Sequence, residues 1–114
     1  MQFSTSLKSN RDFKYVYGNG KVKANKYLVM YLIGNDLAIN RIGISVSKKV
    51  GNSVVRHRLT RLIRESYRLS EKVFNSGLDM VVVVKPSAKE CTYKEIESAL
   101  LHLAKLHGIL NEVD

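Results

Sequence analysis

Residues 48–68, KKVGNSVVRHRLTRLIRESYR, set two lysines and five arginines against one acid, Glu65. The cations are Lys48, Lys49, Arg56, Arg58, Arg61, Arg64 and Arg68. Guanidinium is planar, permanently charged and able to bond two oxygens at once, so such a set suits phosphate. Spacing orders the charges. A helix over 53–69 places Val55, Leu59, Leu62 and Ile63 at i, i+4, i+7 and i+8, an apolar stripe. On the opposite side fall His57, Arg61, Arg64 and Arg68, with Arg56 and Arg58 flanking them. One side of this helix is made for a core, and the other is a fixed array of cations. Lys48 and Lys49, just before the Gly51 turn, extend the array. His57 reads either as a phosphate or sugar contact or as a solvated helix residue.

Nothing in the chain assembles a catalytic centre. The acids are thinly spread, and no pair is spaced for acid–base work. No serine sits in a nucleophile elbow, and Gly43 and Gly51 belong to no phosphate-loop or dinucleotide pattern. Catalytic residues are therefore expected to be none. Cys91 is the single cysteine, which excludes an internal disulfide and fits a reducing compartment. With His102 and His107 it forms no zinc spacing, so no metal ligands are expected either. Cys91 itself reads as an inert residue near a helix start.

Three aromatics, Phe13, Tyr17 and Tyr31, lie among basic residues. Rings in such company can stack on unpaired bases, a sequence-tolerant contact. By spacing alone, plain core packing is the commoner fate of such rings.

The whole chain has 114 residues and a net charge of +9, with hydrophobic residues at 45%. That is one domain with a real core, not a disordered basic tail. Residues 1–30 carry six Lys/Arg and one acid, and residues 41–68 carry eight and one. Residues 69–114 carry five lysines and seven acids. The basic excess thus sits in the first 68 residues, which points to a polyanionic partner. No apolar run of 18 residues predicts a membrane span, and the start of the chain lacks a signal-peptide block.

The elements that must position these residues follow from pattern. Ser9 and Asn10 before Phe13, Val16 and Tyr17 predict a two-turn helix closed by Gly18-Asn19-Gly20. Residues 26–33 are β-prone and apolar at both parities, a strand covered on both faces, with a further short strand near 21–25. In 41–47 the residues alternate. Ile42, Ile44 and Val46 face the core, while Arg41, Gly43, Ser45 and Ser47 form a small polar face open to a ligand backbone. Gly51-Asn52-Ser53 supplies the turn and cap for the arginine helix. Asp79–Lys85 reads as a buried strand ended by Pro86. Thr92 to Glu95 has the form of a capping box before a packing helix carrying Ile96, Leu100, Leu103, Leu106 and Leu110. The expected fold class is α+β, a single-domain sandwich over 1–114 in the order α-β-β-(β)-α-β-α.

The central stretch resembles the signature of the bacterial ribonuclease P protein subunit. That family has a basic strand end, a glycine turn, and a helix with an Arg-Asn-Arg core followed by Lys-Arg-Leu-Ile-Arg. The likeness extends to R-x-G-x-S-V-S-K-K at 41–49, L-K-x-x-x-D-F-x-x-V-Y at 7–17, K-P at 85–86 and T-Y-x-E at 92–95. It spans nearly the whole chain in the expected order. Two departures are His57 for the usual Asn and Thr60 for a common Lys.

The resemblance implies a fold like domain 2 of ribosomal protein S5, with a left-handed β-α-β crossover against the general rule. It implies an accessory subunit of an RNA-catalysed endonuclease that removes the 5′ leader of precursor tRNA. Carried over by motif, Lys48, Lys49, Arg56, His57, Arg58, Arg61, Arg64 and Arg68 would meet the catalytic RNA. Phe13, Tyr17 and Tyr31 would line the leader-binding cleft. Mg²⁺ would be held mainly by the RNA, and none by the protein alone. The partners would be the ribonuclease P RNA and precursor tRNA, with no membrane or small-molecule substrate, in a bacterial cytoplasm. A generic RNA-binding protein and a self-sufficient nuclease using His57 are the competing readings.

Overall fold

Alternation and β-branching build a sheet, and helical periodicity covers it. The computed structural model describes residues 4–111. Among them lie strands β1 Ser4–Ser6, β2 Lys21–Ala24, β3 Leu28–Gly34, β4 Asn40–Ser45 and β5 Leu78–Val84. Helices α1 Asn10–Asn19, α2 Ser53–Ser70 and α3 Tyr93–His107 accompany them, giving the order β1-α1-β2-β3-β4-α2-β5-α3. The five strands form one sheet in the order β1-β4-β5-β3-β2. β4 runs parallel to both β1 and β5, while β3 runs antiparallel to β5 and β2. α2 is thus the crossover between adjacent parallel strands, so its first turn starts where β4 ends. The fold is α+β in one domain, as expected.

Register assigns the two sheet faces. Leu28, Met30 and Leu32 of β3 share a face with Ile42, Met80 and Val82. That face meets Leu59, Ile63 and Tyr67 of α2 and Ile96, Leu100 and Leu103 of α3 in the main core. On the other face α1 lies over β3 and β5, burying Val16 with Leu7 and Val81. α1 is short, so Val29, Tyr31, Ile33 and Val83 stay only half-buried. Coverage of β3 is therefore complete on one face and partial on the other.

Local signals explain the helix ends. The Ser9 side chain caps α1 by accepting from the Asp12 amide at 3.1 Å. The helix extends over ten residues, longer than the expected two turns. Thr92 and Glu95 form the expected capping box, and Gly108 closes α3 at φ 70°, a left-handed conformation natural to glycine.

Three expectations need correction. β1 carries no periodic signal and was not expected. It exists because the edge of β4 offers it a partner. Gly43 does not leave its face open to a ligand: a Cβ there would meet Phe13 Cζ at 2.5 Å and the Leu7 Cβ at 3.2 Å. Phe13 of the chain itself covers that spot, and the open positions are Ser45 and Ser47. In α3, Leu106 faces solvent and Leu110 lies beyond Gly108, outside the helix. Ala99, Ala104 and Ile109 complete the core, and Leu110 still packs against it from beyond the helix.

Candidate nucleic-acid interface

α2 is fixed before any charge is considered. Asn52 caps it, its side chain accepting from the Val55 amide at 3.0 Å. Leu59 and Ile63 are fully buried, and Val55 and Leu62 are half-buried, as the stripe predicts. Tyr67, also fully buried, adds a polar anchor. Its hydroxyl lies 2.6 Å from Ser4 Oγ of β1 and accepts from Asn40 Nδ2 of β4 at 3.0 Å. The helix is thereby tied to two strands and cannot roll. A cationic face on a helix that cannot roll is pre-positioned for a rigid ligand.

The expected side does carry the charge. His57, Arg61, Arg64 and Arg68 are exposed, as are Lys48 and Lys49 in the turn before the helix. Arg58, Arg61, Leu62, Arg64, Glu65 and Arg68 line a groove of about 550 Å³. A smaller hollow of about 280 Å³ lies between the end of β4 and the first turns of α2, lined by Ile44, Val46, Ser53, Arg56, His57 and Thr60. There the buried Nε of Arg56 has no hydrogen-bond partner among the described residues.

The cations are not equally available. Arg58 donates to the carbonyls of Lys89 and Cys91, bracing the loop before α3. Arg64 donates to Ser6 Oγ at 3.1 Å. Arg68 gives Nε and Nη2 to the Glu65 carboxylate at 3.1 and 2.6 Å. That bond holds the Glu65 carboxyl below its ordinary range and raises the Arg68 guanidinium above its own. Lys48, Lys49, His57 and Arg61 have no side-chain hydrogen bond or ion pair among the described residues. The freest donors therefore gather toward the N-terminal half of α2, where the helix dipole also favours an anion.

Across the sheet, α1 and β3 bring the three aromatics together. The Phe13 and Tyr17 ring centroids are 6.3 Å apart, and Tyr17 meets Tyr31 edge-on at 4.9 Å. Phe13 and Tyr31 are half-buried, whereas Tyr17 is 38% exposed. Phe13 serves partly as a core residue over Gly43. The most accessible ring is that of Tyr17.

Comparison with known proteins decides the family. The family model described as Ribonuclease P matches residues 1–107. The chain belongs to the ribonuclease P protein family. A ribonuclease P protein component from Lachnoclostridium phytofermentans is 64% identical over 108 residues, covering 95% of this chain and 93% of its own. One from Alkaliphilus metalliredigens is 55% identical over 105 residues, covering 92% and 95%. The solved ribonuclease P protein of Staphylococcus aureus superposes with a TM-score of 0.86 at 34% identity, covering 93% of this chain and 97% of its own. That of Thermotoga maritima gives 0.83 at 30% identity, covering 89% and 96%. Membership of the ribonuclease P protein family places the chain in tRNA processing.

One constellation escaped the sequence reading. Arg41 of β4 and Asp79 of β5 are register partners and form a two-pronged ion pair, with Asn35 also donating to Asp79 at 2.9 Å. Arg41 Nη1 further lies 3.9 Å from Asp12 of α1. Opposite charges at the heads of two apolar strands were the available signal. Cys91 is buried just before the α3 cap, and burial pushes its thiol up. Among the described residues no three His, Cys, Asp or Glu side chains are grouped to hold a metal ion. No helix there is long and apolar enough to cross a membrane.

Proposed function

We infer that the chain binds the catalytic RNA of ribonuclease P through the basic side of α2 and its preceding turn, and the single-stranded 5′ leader of precursor tRNA through Phe13, Tyr17 and Tyr31. The observation that carries this reading is the pairing of two unlike surfaces on one small rigid sheet. A cationic helix suits structured phosphate backbones. An aromatic cluster on the partly open sheet face suits unpaired bases. Lys48, Lys49, Arg56, His57 and Arg61 are the principal RNA contacts. Arg58, Arg64 and Arg68 contribute from the groove, each already engaged within the protein.

Two polyanions, the ribozyme and its substrate, repel each other. A chain of net charge +9 between them lowers that repulsion and the Mg²⁺ needed to bring them together. Contact with the leader adds affinity for precursor over mature product, because the product lacks it. Hydrolysis belongs to the RNA, whose bound Mg²⁺ ions orient water and stabilise phosphoryl charge. This role sets the chain in the bacterial cytoplasm, where tRNA precursors are processed.

Reconstitution tests the reading. The purified chain is mixed with a bacterial ribonuclease P RNA and a precursor tRNA at low Mg²⁺, where the RNA alone is nearly inactive. Cleavage at the mature 5′ end in the complete mixture only is the expected result. RNA binding without stimulation would indicate a generic RNA-binding protein. Cleavage by the chain alone would indicate a nuclease in its own right.

A further inference from the structure

Glu65 is the one carboxylate on α2, and it sits inside the arginine groove beside Arg58, Arg61, Arg64 and Arg68. It grips Arg68 through two parallel hydrogen bonds, the same fork that a phosphate would take. Both side chains are about half exposed, at 51% for Arg68 and 48% for Glu65. An ion pair this exposed is readily exchanged for another partner. A phosphate that takes Arg68 therefore leaves the Glu65 carboxylate beside it, charged and in need of a donor.

Polyanions differ in what they offer that carboxylate. RNA carries a 2′-hydroxyl, a donor as well as an acceptor, next to every phosphate. The DNA backbone has no such hydroxyl. We propose that Glu65 makes the arginine groove select RNA over DNA, its carboxylate taking a ribose 2′-hydroxyl while Arg68 takes the adjoining phosphate. This rests on the RNA-binding reading above. Without Glu65 the groove is a plain cationic trough, attractive to any polyanion. With it, DNA binds at the cost of an unpaired like charge, and RNA does not. Discrimination of this kind needs a repulsive element against the wrong ligand as well as attraction to the right one.

The test uses the full chain, wild type and Glu65→Gln, titrated at one salt concentration against ribonuclease P RNA and a DNA duplex of similar length. Glu65→Gln should tighten DNA by about three- to fivefold, the scale of one exposed charge interaction, with RNA changed less. The RNA-to-DNA affinity ratio then falls. Glu65→Ala, which removes the acceptor as well, should lower the ratio further. Circular dichroism checks that each variant is folded. Equal tightening for RNA and DNA in both variants, or an unchanged ratio, overturns the proposal and leaves the RNA-binding reading standing. A wild-type chain that fails to bind the RNA overturns both.

Discussion

Arg41 holds Asp79 with both prongs of its guanidinium, Nε to Oδ1 at 2.8 Å and Nη2 to Oδ2 at 2.6 Å. The pair joins β4 to β5, the two strands that α2 connects. It also reaches α1 through Asp12, so one cation ties together the helix that carries the aromatics and the strands that frame the basic helix. Burial opposes the charge on Asp79, but the bonds from Arg41 and Asn35 outweigh it and hold the carboxyl below its ordinary range. A carboxyl lowered on folding contributes stability above its unfolded-state pKa and loses it as pH falls through the folded-state value. Asp79 should therefore contribute fully at pH 7 and progressively less below about pH 4. Arg41→Ala leaves Asp79 nearly buried and without its cation. The expected cost is about 2–3 kcal/mol, under the figure for a fully buried pair because Arg41 is 31% exposed. Urea unfolding at pH 7 and at about pH 2–3 checks this, the gap between wild type and variant narrowing at the lower pH. A variant as stable as wild type at pH 7 would remove the pair from the fold's support.

Gly43 and Phe13 meet at the seam between β4 and α1. A side chain at 43 drives into the Phe13 ring end, which a Cβ would approach to 2.5 Å, and into Leu7. Gly43→Val should lift α1 from the sheet, with a stability loss of about 1–3 kcal/mol from overpacking. Since Tyr17 rides on the same helix, precursor affinity should fall as well. Thermal unfolding and binding of precursor tRNA measured on one preparation decide it. Unchanged values in both would mean that α1 does not rest on Gly43 in solution.

Elements with a strong period could be read directly. The α2 stripe, the alternation of β4, the apolar run of β5 and the Thr92 capping box each announce themselves within a few residues. β1 could not be read, because Ser-Thr-Ser has no apolar face. It is held by pairing with β4 and by the Tyr67 hydroxyl, 63 residues from Ser4 in sequence. In α3 the leucine period runs on past Gly108, but the helix stops before it, so Leu106 faces solvent and Leu110 reaches the core from outside the helix. The same division applies to the site. Helical spacing put His57, Arg61, Arg64 and Arg68 on one side and sets Glu65 within reach of Arg68 at i,i+3, but only tertiary packing shows that Arg58 braces the Cys91 loop. Grouping of Phe13, Tyr17 and Tyr31 came from family likeness, since spacing alone favoured a core role. Phe13 in fact fills the core role over Gly43 while remaining in the cluster.

Arg58 and Arg61 should separate structure from binding. Arg61 is exposed with no internal partner among the described residues, so Arg61→Ala should leave the melting temperature unchanged. It should also flatten the log K versus log salt slope for RNA by somewhat under 1 unit. Arg58→Ala removes donors from the Lys89 and Cys91 carbonyls and should lower stability by about 1 kcal/mol. Its effect on the salt slope should be smaller than that of Arg61→Ala. A flat response at Arg61 would take that residue out of the interface.

Tyr17 and Tyr31 offer the sharpest test of the cleft. Their edge-on contact at 4.9 Å stabilises the pair but leaves Tyr17 38% exposed, with ring surface free for a base. A stacked base is worth about 1–3 kcal/mol, so Tyr17→Ala should weaken precursor binding by roughly five- to 150-fold. Mature tRNA lacks the leader, so its affinity for the holoenzyme should hardly change. Tyr31 is half-buried against the second core cluster, and Tyr31→Ala should therefore cost stability as well as precursor affinity. The contrast matters more than either number. Leader-specific loss at Tyr17 with an unchanged melting temperature marks a binding ring. Equal loss for precursor and mature tRNA, or loss of folding at both positions, would return the pair to the core, and the leader would have to bind elsewhere.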